Sequence, residues 1–283
     1  MPTSPSPRPE GWTLKRRARL STGEEIAYDV SGQGSPMVLV YGTPSRSCIW
    51  AAVAPALAER HAVYVLDLLG FGMSRGTGHQ DTSIPAQSRA IAELIRRWGL
   101  AAPGIVGHDI GGAVVLRTHL LERVPFSRIA LVDAVVLRPW ITPTTRHKQT
   151  YAEAYRTMPN HIFHSTVLAH LRTATALPID EAAFAAIFGQ WEGEDGQARY
   201  MHNLEQFDER FTDEFEPLLG SIRVPVRIVW GKRDAWLNPA FAHRLLALIP
   251  GAELSLIPGA GHFSMLDRPD EVAQELTNFF ALS

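Results

Sequence analysis

The sequence predicts an α/β protein with a mostly parallel central sheet, helices on both faces of the sheet and an inserted helical segment. Three observations support this fold class. Short apolar runs rich in Val, Ile and Leu alternate with longer segments of helical spacing, which is the pattern of a parallel sheet covered on both faces. Glycine-rich turns close several of these runs. The alternation stops over residues 138–217, where helical segments dominate, and then resumes.

The first two predicted strands, 13–20 and 24–30, are separated by Ser21-Thr22-Gly23, which is a hairpin signal. The later apolar runs predict buried strands, and the longer segments between them predict helices. Proline inside the first of these helices, at Pro55, is expected to disturb it. The later predicted strands are 36–40, 62–66, 104–107, 129–132, 226–230 and 253–257, and the predicted helices are 50–60, 83–98, 112–121, 239–249 and 269–280.

Composition and charge exclude several classes of protein. The net charge is −2 and the isoelectric point is about 6.6, so we expect no nucleic-acid partner and no membrane partner. Cys48 is the only cysteine, which excludes an internal disulfide and a cysteine-based metal site. No apolar run approaches the roughly 18 residues of a membrane span, and the Pro- and Ser-rich start lacks the apolar core of a signal peptide. We therefore expect a cytoplasmic protein.

The alternation of elements also predicts how the chain is divided. Residues 1–12 are expected to form a flexible N-terminal arm, because their first part is rich in proline and serine. Residues 13–137 and 218–283 are expected to form the α/β core. The helical segment at 138–217 is expected to form a cap over the carboxyl ends of the strands, where open α/β sheets bind their ligands.

The most informative stretch is Gly107-His108-Asp109-Ile110-Gly111-Gly112, which lies between a predicted buried strand and a predicted helix. Glycines flank Asp109 because a sharp turn leaves little room for Cβ atoms. This is the nucleophile elbow of Gly-x-Ser-x-Gly enzymes, with aspartate in place of serine. A carboxylate with a pKa near ~4 is ionised at neutral pH and suits displacement at a saturated carbon. Because Asp and Gly are common in turns, the motif alone fits a chance turn equally well.

Two later residues, each following a predicted strand, complete the order nucleophile, acid and base along the chain. His262 lies in a glycine-rich loop after the last predicted strand, and Asp234, 28 residues earlier, follows the strand before it. We expect His262 to reach Asp109 and Asp234 to hold the histidine tautomer. Asp133, at the end of the strand after the elbow, is a second and weaker candidate for the acid.

These motifs resemble the α/β-hydrolase superfamily, and within it the branch with an aspartate nucleophile, which comprises epoxide hydrolases and haloalkane or haloacid dehalogenases. The resemblance covers about 13–280. It implies that Asp109 forms an ester with the substrate and that His262 activates the water that hydrolyses it. It also implies an oxyanion hole formed by the backbone N–H groups of Thr43 and Ile110. The residues that carry the resemblance are the elbow, Tyr41-Gly42-Thr43-Pro44, the Asp67 to Ser74 stretch, Asp234 and Gly261-His262-Phe263.

Departures from the pattern of the dehalogenases favour an epoxide as the substrate. Haloalkane dehalogenases carry Trp directly after the nucleophile and fluoroacetate dehalogenases carry Arg there, whereas Ile110 offers no side-chain donor. The resemblance to epoxide hydrolases implies two cap tyrosines that protonate the leaving oxygen. Tyr155 and Tyr200 suit this role, with Tyr151 as a rival for the first. Packing of the cap against the core is an equally good explanation for these tyrosines.

Two further aromatic residues bear on the pocket. Tyr41 stands where the relatives carry His, and we expect it either to alter the oxyanion loop or to reach into the pocket. Trp140 is expected to contact the substrate, although packing in the core is the commoner use of such a residue, and in a dehalogenase Trp140 or Trp191 could bind the halide.

The sequence thus predicts an epoxide hydrolase that acts on a small apolar electrophile and uses no metal or cofactor. The alternatives are a haloalkane-type dehalogenase and a protein that uses the same pocket for ligand binding or for a lyase or cyclase reaction. A homodimer stays open.

Overall fold

The structure, a computed structural model, describes residues 11–74, 76 and 79–281, so most of the predicted N-terminal arm lies outside the described residues. Its strands form one eight-stranded sheet of order β1-β2-β4-β3-β5-β6-β7-β8. The pairs β1–β2 and β2–β4 are antiparallel, and the other pairs are parallel. The strands are β1 Arg16–Arg19, β2 Glu25–Ser31, β3 Ser35–Val40, β4 His61–Leu66, β5 Gly104–Asp109, β6 Arg128–Ala134, β7 Val226–Gly231 and β8 Glu253–Ile257.

Helices cover both faces of the sheet and fill the segment between β6 and β7. Short 3₁₀ helices lie at Ser47–Trp50, Gly189–Trp191 and Glu216–Ser221. The α-helices of the described residues are α1 Ala54–Ala58, α2 Ile84–Arg97, α3 Ile110–Leu120, α4 Pro143–Thr150, α5 Ala152–Arg156, α6 Asn160–Leu171, α7 Glu181–Phe188, α8 Gly193–Glu205, α9 Arg210–Asp213, α10 Ala240–Leu248, α11 Ser264–Asp267 and α12 Pro269–Ala281.

The α/β fold class predicted from the sequence is confirmed, and the central strands match the prediction because their side chains are mostly apolar and buried. Every residue of β5 is buried, as expected for a central strand with helices on both faces. The predicted helix at 50–60 is only partly correct, because the α-helix there is confined to Ala54–Ala58. The chain forms a 3₁₀ turn and then the short α1, with Pro55 in its first turn, where a missing N–H breaks no helical hydrogen bond.

The helical insertion, 138–221, contains α4 to α9 and no strand among its described residues. Hydrogen bonds tie it to loops of the α/β core. The Trp191 indole donates to the Pro44 carbonyl at 2.7 Å, and the Gln190 amide donates to the Ser45 carbonyl at 2.8 Å. The insertion is therefore held directly over the loop that follows β3. No helix of the described residues has the length and apolar character needed to cross a membrane.

Candidate active site

Asp109 stands at the sharp turn between β5 and α3. Its φ of 51° lies in the left-handed region, which costs a non-glycine residue of order 1–3 kcal/mol and persists only where the surrounding structure holds it. Glycines on both sides of Asp109 allow the neighbouring backbone segments to pack closely against this turn. A Cβ on Gly107 would lie 2.5 Å from the Gly111 carbonyl oxygen, and a Cβ on Gly111 would lie 2.6 Å from the Tyr41 carbonyl oxygen. The turn places the Asp109 carboxylate in the wall of a cavity.

One oxygen of the Asp109 carboxylate is held by the loop that follows β3. The Thr43 backbone N–H donates to Oδ1 at 2.7 Å, and the Thr43 hydroxyl lies 3.3 Å from the same oxygen. The Ile110 backbone N–H also acts on this carboxylate and helps to hold the Asp109 pKa below its ordinary value. These are the two backbone amides expected from the sequence, and they are positioned to stabilise negative charge on this side chain.

The other oxygen of Asp109 faces His262. The imidazole Nε2 lies 3.3 Å from Asp109 Oδ2, and Nδ1 lies 3.0 Å from Asp234 Oδ2. Asp234 is fixed in turn, because its Oδ1 accepts the backbone N–H groups of Trp236 and Leu237, both at 2.8 Å. The structure thus brings Asp109, His262 and Asp234 together in one connected group.

Charges inside this group shift the pKa values of its members. Burial favours the neutral form of Asp109, but the hydrogen bond and positive charge of His262 outweigh it and hold the Asp109 pKa below its ordinary value. Burial also opposes a charge on His262, yet the Asp234 and Asp109 carboxylates raise the His262 pKa well above its ordinary value. Both neighbouring carboxyl groups therefore favour the protonated form of His262 in the resting site.

Esterification of Asp109 would change that balance. The ester carries no charge, so His262 would lose one of the two carboxylates that stabilise its proton. The pKa of His262 would then fall, and the ring would be available as a base once it had released its proton to solvent. An arrangement of this kind could therefore supply an anionic nucleophile first and a neutral base afterwards.

Asp133, the second candidate acid, occupies a different position. It is fully buried at the end of β6, accepts the Gly231 backbone N–H at 2.7 Å and accepts the Ser264 hydroxyl. Burial and the nearby charge of Asp234 raise the Asp133 pKa well above its ordinary value. Its hydrogen bonds link β6, β7 and α11, whereas the contact with the His262 ring is made by Asp234.

The cavity above Asp109 has a volume of about 50 Å³ and walls that are mostly aromatic and aliphatic. Core loops supply its floor, and the helical insertion supplies much of its roof. This composition is typical of a pocket for an apolar ligand. The cavity is lined by Thr43, Pro44, Phe71, Asp109, Ile110, Val135, Trp140, Ile141, Thr142, Thr145, His170, Trp191, Tyr200, Asn203, Leu204, Phe207 and Trp236.

Only Tyr200 among the four tyrosines predicted to bind substrate lines this cavity. Tyr151 is 55% exposed at the end of α4, and Tyr155 packs its ring against His147, with centroids 5.9 Å apart. Tyr41 is fully buried, and its hydroxyl accepts the Leu68 backbone N–H at 2.9 Å. Tyr41 therefore joins the loops after β3 and β4 and does not reach the pocket.

Both tryptophans considered as halide ligands line the cavity, but neither indole offers it a free N–H. The Trp140 Nε1–H donates to the Thr212 hydroxyl at 3.1 Å, and the Trp191 Nε1–H donates to the Pro44 carbonyl at 2.7 Å. Their contribution to the cavity is apolar surface.

Sequence reasoning missed two polar residues beside the cavity. Lys148 is 2% exposed, and its ammonium group donates to the Tyr200 hydroxyl at 3.1 Å. His170 lines the cavity, and burial together with the charges of Lys148 and His262 lowers its pKa to about 4. No sequence signal distinguishes Lys148, because the polar segment around it has the composition of an exposed helix.

Comparisons with known proteins agree with this architecture. The alpha/beta hydrolase family matches residues 37–275. An alpha/beta hydrolase fold protein from Burkholderia ambifaria has a crystal structure similar to this one, with a TM-score of 0.90 and 32% identity over 94% of this chain and 98% of that chain.

Two relatives that are named for an activity are more distant in sequence. Haloalkane dehalogenase 2 of Mycobacterium tuberculosis is 24% identical, over 97% of this chain and 98% of its own. A 2-hydroxy-6-oxo-6-(2'-aminophenyl)hexa-2,4-dienoic acid hydrolase of Metapseudomonas resinovorans is also 24% identical, over 92% of this chain and 88% of its own. On the family match and the structural similarity, the chain belongs to the alpha/beta hydrolase family and is a hydrolase.

Proposed function

We propose that the protein is an epoxide hydrolase that forms a covalent ester on Asp109 and releases a vicinal diol. The observation that carries this proposal is the set of contacts around the Asp109 carboxylate. Thr43 holds Oδ1 at 2.7 Å, while Oδ2 lies 3.3 Å from His262 Nε2. One oxygen is thus held by donors of Thr43, and the other faces the base, in a residue that lines the cavity.

In the first step, Asp109 Oδ2 attacks a ring carbon of the epoxide and forms a carbon–oxygen bond. The bond from that carbon to the ring oxygen breaks, and the electron pair goes to the ring oxygen, which takes a proton from an acid in the cavity wall. The low pKa of Asp109 supports this step, because the carboxylate is ionised without a separate base.

In the second step, His262 takes a proton from water, and the hydroxide attacks the Asp109 carboxyl carbon. Negative charge then develops on Oδ1, which already accepts the Thr43 N–H at 2.7 Å. Collapse of this intermediate releases the diol with the original Oδ2 and leaves the oxygen of water on Asp109. General-base catalysis is expected to accelerate this hydrolysis step by about 10²–10⁴-fold.

Two features of the cavity support an epoxide over a halide. Tyr200, whose hydroxyl can protonate an alkoxide, lies in the cavity wall. Halide binding would need free donors, and the indole N–H groups of Trp140 and Trp191 are bonded to protein oxygens. The helical insertion fits the role of a cap, because it supplies both Tyr200 and much of the apolar wall that would bind a small apolar substrate.

The test is intact-protein mass spectrometry of the His262→Gln variant after incubation with a panel of epoxides and haloalkanes. We expect a stable adduct with the mass of the epoxide on Asp109, because alkylation proceeds and hydrolysis stalls. An Asp109→Asn/His262→Gln double variant serves as the control and should acquire no adduct. Alkyl adducts from haloalkanes alone would favour a dehalogenase, the activity named for the Mycobacterium tuberculosis relative. No adduct with any electrophile would reject the covalent mechanism.

A second measurement follows the oxygen atom. In a single turnover of the wild-type enzyme in heavy-oxygen water, the label should enter Asp109 and the diol should stay unlabelled. A diol that carries the label from the first turnover would mean that water attacks the substrate directly, which would overturn the proposal.

A further inference from the structure

We propose that Lys148 is a positioning residue that makes Tyr200 the proton donor to the leaving oxygen. This inference rests on the proposed epoxide opening and adds the source of its proton. Lys148 and Tyr200 come from different helices of the insertion, α4 and α8, and they meet beside the cavity.

Burial and hydrogen bonding point to this pairing. Lys148 is 2% exposed and Tyr200 is 6% exposed, so the contact between them is shielded from bulk water. Lys148 Nζ lies 3.1 Å from the Tyr200 hydroxyl oxygen and 4.9 Å from the centre of its ring. Among the residues that the structure describes, the Tyr200 hydroxyl is the only hydrogen-bond partner found for this ammonium group.

The hydrogen-bonding capacities of the two groups then determine where the hydroxyl proton of Tyr200 points. An ammonium group can only donate, so it uses a lone pair of the Tyr200 oxygen. The Tyr200 O–H must therefore be directed at some other acceptor. Within the described part of the chain no protein acceptor is found for it, and Tyr200 lines the cavity above Asp109. The proton of Tyr200 is thus available to an oxygen atom of a bound ligand.

The charge of Lys148 acts on the same oxygen. No carboxylate of the described residues lies within ion-pair distance of Lys148 Nζ, so this buried charge is not neutralised by the protein. Its effect extends to the cavity wall, since it contributes to the lowered pKa of His170. A buried cation beside a phenol stabilises the phenolate that remains after proton transfer.

The proton transfers balance over the whole cycle. As Asp109 Oδ2 bonds to the epoxide carbon, the released ring oxygen takes the Tyr200 proton, and the Tyr200 phenolate stays next to the Lys148 ammonium. In the second step one proton of water passes through His262 to the departing diol oxygen. The other proton of water leaves the regenerated Asp109 carboxyl group and returns through solvent to Tyr200. His262 regains from solvent the proton that it released after Asp109 became an ester.

The experiment measures the rate of Asp109 alkylation in the His262→Gln background. Two electrophiles with the same carbon skeleton are compared, a terminal epoxide and the corresponding primary bromide. Bromide ion leaves without a proton, so only the epoxide needs Tyr200. We expect Lys148→Met to slow the epoxide reaction about ten- to a hundredfold, which corresponds to the free energy of one hydrogen bond to a charged group. The rate of the bromide reaction should not change. Lys148→Arg should restore much of the epoxide rate.

A double-mutant cycle gives a second readout that needs only the epoxide. Tyr200→Phe should slow the reaction of the epoxide by about 10²-fold or more. Adding Lys148→Met should cause no further loss of rate, because both changes disrupt the same proton-donating pair. Lys15→Met, at an exposed lysine, is the matched control and should behave as the parent. If Lys148→Met fails to fold, Lys148→Gln takes its place.

The outcomes separate this inference from the proposed function. Equal slowing of both electrophiles by Lys148→Met, or additive losses in the cycle, would show that Lys148 has only a structural role. An unchanged epoxide rate in Lys148→Met would also overturn the inference while leaving the ester mechanism intact. Failure of the parent His262→Gln protein to form any adduct would instead reject the proposed function and the inference with it.

Discussion

Replacement of Asp234 by Asn is expected to separate ester formation from ester hydrolysis. Asp234 Oδ1 accepts two backbone N–H groups at 2.8 Å, so the side-chain oxygen of Asn should keep that place. The amide nitrogen would then face His262 Nδ1 from the position of Asp234 Oδ2, 3.0 Å away. A donor requires an acceptor opposite it, so Nδ1 would lose its proton and Nε2 would carry it. His262 could no longer take a proton from water.

The size of the effect follows from the step that is lost. General-base catalysis contributes about 10²–10⁴-fold, which is roughly 3–5 kcal/mol of transition-state stabilisation. Alkylation should be affected much less, because the Thr43 N–H still holds Asp109 Oδ1 at 2.7 Å. The ester should therefore accumulate during a single turnover. Rapid chemical quenching followed by intact mass measurement gives the rates of both steps.

Asp133→Asn is the matched control for this prediction, since Asp133 is also buried at the end of a central strand. An Asn there can accept the Gly231 N–H and donate to the Ser264 hydroxyl, so we expect ester hydrolysis to stay much closer to the wild-type rate. The reasoning is refuted if Asp234→Asn hydrolyses the ester at the wild-type rate, or if alkylation and hydrolysis slow by the same factor. A larger effect of Asp133→Asn would transfer the orienting role to that residue.

Three further predictions test the surroundings of the nucleophile. A Cβ on Gly42 would lie 2.2 Å from Asp109 Oδ1, so Gly42→Ala should abolish adduct formation in the His262→Gln background, whereas Gly220→Ala, where the nearest atom is 4.0 Å away, should not. The pKa of His262 is raised in the folded protein, so its stabilising effect is complete below the unfolded pKa of about 6.5 and disappears as the pH rises through the folded pKa. The melting temperature of the wild type relative to His262→Gln should accordingly fall over that range, and a difference that grows with pH would contradict this sign. Trp140→Phe should cost about 1 kcal/mol of stability through the lost indole hydrogen bond without changing the choice between epoxide and bromide, and a selective loss with the bromide would instead indicate a halide ligand.

The core of the fold and the order of the candidate catalytic residues were predictable because both depend on local patterns. Buried parallel strands need continuous apolar runs, and β3, at Ser35–Val40, covers the predicted run at 36–40. A sharp turn between a strand and a helix needs glycines around its central residue, which identified Asp109. Asp234 and His262 were found because parallel strands end at the same edge of the sheet, so position along the chain predicts position in space.

By itself, the sequence determined the fold class, the position of the elbow and the identity of the three residues that meet there. Only the tertiary structure decided which tyrosine reaches the cavity, where the indole N–H groups donate, and that a lysine is buried beside the cavity. These features depend on contacts between distant segments, such as Lys148 with Tyr200, 52 residues apart, and Trp140 with Thr212, 72 residues apart. The surroundings of such side chains depend on how the helices of the insertion pack together. The sequence next to each of these side chains does not predict that packing.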